Sequence, residues 1–361
     1  MKAMVVHELG QGFHLEDVTI DNPMGREVLV EVRASGLCHT DLMFATTELS
    51  PLPAVYGHEV AGVVIGVGPN VTQLQVGDHV VGTLMQSCGC CPRCVSARTY
   101  QCRNPAATLR GADQPPRLSL DGRPVFQGFG LGGFAERALI HENQLAVLPK
   151  EIPFAQAALL GCGVVTGAGA VLNTAGVEAG DTVVVIGAGG VGLNALTGAR
   201  LAGATRIVAV DINQHRLDMA RHFGATDVID SSQGTAVQAL HDLLPQGADH
   251  VFDFVGISAV SQQGAEMLGV GGGLYLAGAV DPQSSVNVSV MSAIGQQTKV
   301  QGVNYGSTNF QRDIPMYADL YLQGRINLDD LVSREISLAE VGEGYEALHS
   351  GTLNRVVITS F

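Results

Sequence analysis

Five of the seven cysteines fall between Cys88 and Cys102. The run Cys88-Gly89-Cys90-Cys91-Pro92-Arg93-Cys94, followed by Cys102, contains the spacing Cys-x2-Cys-x2-Cys-x7-Cys on Cys88, Cys91, Cys94 and Cys102. Four thiolates spaced this way suit a closed tetrahedral zinc site that clamps the loop carrying it. An iron–sulfur run opens similarly but closes on x3-Cys-Pro, whereas the last gap here is x7. Redox or incidental thiols are the remaining alternative. Cys90 is a spare thiol, able in principle to replace a neighbouring ligand.

A second chemistry is written in glycine. Gly187-Ala188-Gly189-Gly190-Val191-Gly192 follows the apolar run Thr182–Ile186 and opens a helical stretch from Gly190 to Ala202. The first glycine permits a tight turn, the second lets backbone approach a pyrophosphate, and the third allows close helix–strand packing. The helix start adds N–H donors and a positive dipole, which Gly190 and Val191 help to present. Asp211 ends the next strand 19 residues beyond Gly192, near the expected spacing of about 20. Its carboxylate can accept from ribose hydroxyls and would repel a phosphate there, so NAD is expected rather than NADP.

Cys38, Cys162 and the pair His58-Glu59 lie apart from both motifs. Spacing alone cannot join them, and an isolated cysteine or histidine is most often core filler.

These residues need elements to hold them. A chain of 361 residues is long enough for two domains at roughly 150 residues each. Apolar residues make up 46% and charged ones 15%, too apolar for disorder. The 46 glycines sit among Val, Ile and Ala, which excludes collagen-like and low-complexity chains. A net charge of −14 argues against nucleic acid or an anionic membrane as the main partner. No run reaches the roughly 18 consecutive apolar residues of a membrane span, and no signal-peptide pattern opens the chain, so a cytoplasmic location is expected.

Up to about residue 150 the chain reads as short β-branched strands between turns, among them Val28–Val32, Val60–Val67 and His79–Val81. The proline-rich stretch from Asn104 to Pro124 reads as a surface loop. From about 156, apolar strands alternate with helices (206–210, 214–223, 226–229, 236–244, 250–254, 260–268, 274–276), which predicts a parallel sheet covered on both faces. The last strand is expected at Arg355–Thr359.

Taken in order, Gly36-Leu37-Cys38-His39-Thr40-Asp41, Gly57-His58-Glu59, the four-cysteine lobe, Gly161-Cys162-Gly163 and Gly187–Gly192 resemble the zinc-dependent alcohol dehydrogenases of the medium-chain dehydrogenase/reductase superfamily. The resemblance covers essentially the whole chain. It implies an α/β architecture in which a Rossmann doubly wound parallel sheet is inserted into a β-rich, GroES-like catalytic domain. The expected divisions are 1–155 (zinc lobe about 85–105), 156–300, and 301–361 returning to the catalytic domain.

The resemblance further implies two zinc ions per chain and NAD. Cys38, His58 and Cys162 correspond to the three ligands of a catalytic zinc with one open position, and Glu59 to a carboxylate beside it. Asp41 matches the residue that orients the ligand histidine. Thr40 matches the hydroxyl that takes the alcohol proton. Arg216 corresponds to a basic position near the adenosine ribose, Arg355 to an arginine reaching the pyrophosphate, and His39 to a basic residue near the phosphates. Leu84 and Phe129 correspond to pocket-lining positions. If zinc shifts an alcohol's pKa as it does water's, from 15.7 to about 7, the effect is worth roughly 10 kcal/mol. Met43 departs from the liver-type pattern, in which a histidine passes the proton onward. Aliphatic residues at that place are familiar in bacterial aryl- and allylic-alcohol branches. The expected reaction is therefore reversible hydride transfer between a hydrophobic primary alcohol and NAD+, giving the aldehyde. A thiol-adduct-dependent formaldehyde dehydrogenase and a tightly NAD-bound nicotinoprotein are the alternatives. Relatives pair through the edge of the Rossmann sheet, so a homodimer or homotetramer is expected.

Overall fold

The structure is a computed structural model that describes residues 1–234, 236–278 and 283–361. The chain divides into two units, one of Met1–Cys162 with Asn309–Phe361 and one of Gly163–Thr308.

The first unit holds two sheets. One runs in the order His14–Asp17, Lys2–Val6, Ala54–Val55, Arg123–Gln127, Leu118–Leu120, Thr19–Ile20. The other runs Leu145–Val147, His79–Gly82, Glu59–Val67, Glu27–Gly36, Arg355–Ser360, Val332–Ser337, with Arg137–His141 also paired to Glu27–Gly36. Its strands are the β-branched runs of the sequence. Val28, Val30 and Val32 alternate inward onto Val60, Val64 and Val80, as a period of two dictates. Two registers matter for the chemistry: Gly36 lies opposite both Glu59 and Val357. The C-terminal strand thus lies beside the start of the Leu37–Cys38 corner, where the Leu37 N–H donates to the Val356 carbonyl at 2.9 Å.

The proline-rich stretch is more ordered than a surface loop. Leu118–Leu120 pairs antiparallel with Arg123–Gln127, and the Arg117 side chain is buried against Glu27. An ionic partner 90 residues away leaves no local trace in sequence.

The second unit is a six-stranded parallel sheet in the order Asp227–Asp230, Arg206–Asp211, Thr182–Ile186, Ala248–Asp253, Leu268–Leu276, Lys299–Gly302. Numbered along the chain this is 3-2-1-4-5-6, the Rossmann order, whose switch point lies beyond the C-terminal ends of the two central strands. Val184, Ile186, Val208, Val210, Val251 and Leu274 form its core against Leu240 and Met267. The helices expected from 190 and 214 span Gly190–Ala202 and Gln214–His222.

The division at Cys162/Gly163 falls inside one helical run, Phe154–Ala175. Among the described residues it is the helix long and apolar enough to span a membrane, and 83% of its window is buried within the protein.

Candidate active site and metal centres

Cys38 precedes the helix His39–Thr46 as its N-cap, and His58 immediately precedes the strand Glu59–Val67. Cys162 sits on a π-helical turn, Leu160–Val164, a distortion frequent at functional positions. The turn is seated closely: a Cβ on Gly161 would lie 2.4 Å from the Gly82 carbonyl oxygen. A Cβ on Gly36 would lie 2.2 Å from Glu59 Oε2. Glycine at both places makes room for the donors.

The topology brings Cys38, His58, Glu59 and Cys162 together, with ligand atoms all within 4.8 Å of one another and all four residues buried. His58 Nε2 is 3.3 Å from Cys162 Sγ. In a tetrahedral zinc site with Zn–N about 2.05 Å and Zn–S about 2.3 Å, that edge would be about 3.6 Å. The donor set therefore fits zinc, and nitrogen with sulfur is the combination zinc favours.

Behind the ring, His58 Nδ1 stands 2.8 Å from Asp41 Oδ2, with neither side chain exposed. Asp41 Oδ1 accepts from the Gly57 N–H at 2.9 Å. A carboxylate at Nδ1 holds the ring proton there, so that a metal taking the place of the Nε2 proton would meet the lone pair on the side of the thiols. Burial alone would lower the pKa of His58, but the Asp41 and Cys38 charges outweigh it and raise it well above the usual range. A hydrogen bond from the Cys162 thiol, with His58 and Arg355 nearby, pulls Cys38 well down against its burial. Cys162, the donor beside that anion, is pushed well up. Burial pushes Glu59 up to about 7 despite Arg355.

Arg355, which the resemblance assigns to a pyrophosphate, has its Nη1 3.4 Å from Glu59 Oε1 and is itself buried. His39 is exposed and Thr40 half-buried on the first turn of His39–Thr46. Met43 lies one turn on, half-buried. Phe129 packs its ring 5.2 Å from His58 and 4.8 Å from Phe44. Leu84 packs on the Val28–Leu145 cluster. Tyr345, whose phenol donates to the Cys38 carbonyl at 3.0 Å, and Phe44 had no motif to announce them.

The four-cysteine lobe is also assembled. Its sulfurs lie within 4.8 Å of one another, with Cys88–Cys94 at 3.9 Å and Cys91–Cys94 at 3.6 Å. Tetrahedral Zn–S bonds of about 2.3 Å require an edge of about 3.8 Å. The N–H groups of Cys88 and Asn104 donate to Cys102 Sγ, and that of Cys91 to Cys88 Sγ. Cys90 is exposed and outside this set.

In the second unit, Gly187 has φ +90° and a Cβ there would meet Val255 at 2.9 Å. A Cβ on Gly192 would stand 2.0 Å from the Gly187 carbonyl oxygen, and one on Gly189 would project into open space. These are the three roles the fingerprint needs. Asp211 Oδ2 accepts from the Ala188 N–H at 2.8 Å and Oδ1 from the Asn213 N–H at 3.0 Å. The acidic residue thus also braces the glycine turn. Arg216 Nη1 is 3.9 Å from Asp211.

Residues 24–150 match the alcohol dehydrogenase GroES-like domain and residues 190–322 the zinc-binding dehydrogenase family. The chain is 38% identical over 365 residues to an NDMA-dependent alcohol dehydrogenase of Amycolatopsis methanolica, covering 99% of this chain and 98% of that one. It is 34% identical over 371 residues to the S-(hydroxymethyl)glutathione dehydrogenase of Paracoccus denitrificans, covering 99% of both. The benzyl alcohol dehydrogenase structure from Acinetobacter calcoaceticus superposes with a TM-score of 0.93 at 34% identity, over 100% of this chain and 99% of that one. The chain belongs to the zinc-dependent, NAD-linked alcohol dehydrogenases of the medium-chain dehydrogenase/reductase superfamily.

Proposed function

We propose that this enzyme reversibly oxidises hydrophobic primary alcohols, aryl or allylic, to aldehydes with NAD+. In this reading Cys38, His58 and Cys162 hold the catalytic zinc, and Cys88, Cys91, Cys94 and Cys102 the structural one. The observation that carries it is the buried sulfur–nitrogen donor set with the Phe129 ring against His58 and Phe44 behind that ring. When bound, zinc at such a set polarises an alcohol oxygen and makes its hydroxyl acidic near neutral pH.

The protein's own residues do the rest. Asp41 holds His58 in the tautomer that leaves Nε2 free to ligate. Arg355 balances the charge of Glu59. Thr40, two residues past Cys38, takes the alcohol proton at its hydroxyl. Met43, one turn on, has no group that can carry that proton further. Phe129, Phe44 and Leu84 line the alcohol's chain and exclude water. Gly187, Gly189 and Gly192 shape the pyrophosphate cradle at the start of the helix Gly190–Ala202, where Gly190 and Val191 supply N–H donors. Asp211 accepts from the adenosine ribose, with Arg216 beside it and His39 offered to the phosphates.

We place the enzyme in the cytoplasm as a homodimer or homotetramer. The edge strand Lys299–Gly302 is exposed along its length, and Val290, Met291 and Ile294 are exposed on the preceding helix, which supports pairing there.

The relatives named for S-(hydroxymethyl)glutathione and for NDMA favour a second reading, in which the substrate is a thiol adduct of formaldehyde or the NAD stays bound. One assay separates them: nicotinamide reduction across aliphatic, benzylic and allylic alcohols, and with formaldehyde in the presence and absence of glutathione. The highest kcat/KM on benzylic or allylic alcohols is expected. Turnover only of formaldehyde with thiol, or only with NDMA as acceptor, replaces the first reading with the second.

A further inference from the structure

Phe129 is held in a backbone conformation it does not favour. Its φ of 57° and ψ of 13° are left-handed, and a bulky residue persists there only where its surroundings over-determine it. Two parallel strands deliver it. Val55 lies opposite Gln127, so Tyr56-Gly57-His58 and Gly128-Phe129 leave the sheet side by side. A Cβ on Gly128 would lie 2.7 Å from the Tyr56 ring. This close approach sets the Phe129 ring beside His58.

A buried polar strap lies behind the loop. Gln144, fully buried, donates through Nε2 to the Phe129 carbonyl at 2.9 Å and to the Thr83 carbonyl at 3.0 Å. Gln127 donates to the Leu131 and Leu139 carbonyls at 2.8 and 3.0 Å. Its Oε1 accepts from Arg117 Nη1 at 3.3 Å. Arg117 Nε reaches Glu27 at 2.7 Å and its Nη2 the Thr108 carbonyl at 2.6 Å. Arg110 grips the same Glu27 from the other side. Buried polar networks of this kind select one arrangement of the groups they join. The arrangement selected here carries an aromatic wall at its tip.

We propose that Gln144 is a positioning residue for substrate specificity. Acting through the Phe129 carbonyl, with Gln127 and Arg117 bracing the loop, it fixes the ring as the wall on which a flat aryl or allylic chain lies. This rests on the hydrophobic-alcohol reading above.

The test is a double-mutant cycle on Gln144→Leu, Phe129→Ala and the pair, read as the ratio of kcat/KM for benzyl alcohol over ethanol. Each single change should lower the ratio about tenfold, the scale of one lost pocket contact. The pair should fall no further than Phe129→Ala alone, because groups that act as a unit do not add. An unchanged ratio in Gln144→Leu, or an additive fall in the pair, overturns the proposal. Should Gln144→Leu fail to fold, Gln144→Met keeps the length, loses both N–H donors and takes the same readout. If the parent enzyme oxidises no alcohol, the functional reading fails separately. The calorimetric Kd for benzamide, an unreactive aryl compound, then decides the wall. It should rise in both single variants without adding in the pair, and an unchanged Kd overturns it.

Discussion

The four-cysteine lobe lies within 15 residues, Cys88 to Cys102, whereas Cys38, His58 and Cys162 are gathered from positions 20 and 104 residues apart. The lobe tunes its thiols with its own loop. Backbone N–H groups of Arg103 and Cys94 bring Cys91 down to about 6, while burial pushes Cys94 up to about 12. The scattered set is instead surrounded by side-chain charges from three separate elements: Asp41 on the helix His39–Thr46, Glu59 at the start of its strand and Arg355 on the C-terminal strand. One site is a self-contained clip. The other exists only when the registers Gly36↔Glu59 and Val357↔Gly36 are both correct. A cluster close in sequence can stabilise the fold around it, whereas a cluster assembled by the fold depends on it and is free to do chemistry.

The largest expected difference comes from cutting one ligand at each site. Cys162→Ala should lower kcat/KM by about a thousandfold or more, roughly 4 kcal/mol of activation free energy, and take bound zinc from two to one per chain. Its thermal midpoint should move only slightly, because the hydrophobic clusters of its unit remain. Cys94→Ser should lose one zinc as well, but with a clearly larger drop in Tm, since structural metal binding is folding free energy. Metal analysis, kinetics and calorimetry on both variants check this. Equal Tm losses would erase the distinction.

A smaller effect should follow from altering what orients the ligand rather than the ligand itself. Asp41→Asn keeps an acceptor for the Gly57 N–H but removes the anion at His58 Nδ1. Loss of such a partner typically costs about 10–100-fold in metal affinity or activity. Chelator competition should show one of the two zinc ions weakened by that factor and the lobe zinc unchanged. Equal weakening of both would mean that Asp41 acts on the whole unit instead.

What the sequence discloses follows the same division. The lobe spacing, the Gly187–Gly192 turn with Asp211, and the apolar strands of the parallel sheet are short-range patterns, and each stands in the structure close to where periodicity puts it. The joining of Cys38, His58 and Cys162 was open to resemblance alone, because no spacing rule reaches across 104 residues. Gln144, Tyr345 and the Glu27–Arg117 pair carried no signal at all. Each acts through contacts to backbone carbonyls or a carboxylate that no local sequence pattern records. The stretch from Asn104 to Pro124 shows the cost of reading composition alone: its prolines and charges mark a loop, yet Arg110 and Arg117 turn inward because Glu27 waits there.

The subtlest contrast is between two buried histidines. His58 faces anions, while His141 is buried near Arg26 and Arg117, and burial with those cations lowers its pKa to about 4. Its neutral Nδ1 accepts from the Asn143 N–H at 3.0 Å, and Asn143 Nδ2 in turn holds the Ser87 carbonyl beside the zinc lobe. Between pH 4 and 6.5 the unfolded chain binds a proton at this position that the folded chain refuses. Stability from this group is therefore fully present above about pH 6.5, declines as pH falls toward 4, and is lost below it. From pH 7 to 5 the decline should be about 2 kcal/mol. His141→Gln, which cannot titrate, should flatten that part of the Tm-against-pH curve without altering the NAD-linked activity at pH 7. An equally steep curve in the variant would move the acid sensitivity to other groups and leave the lobe without a pH-dependent brace.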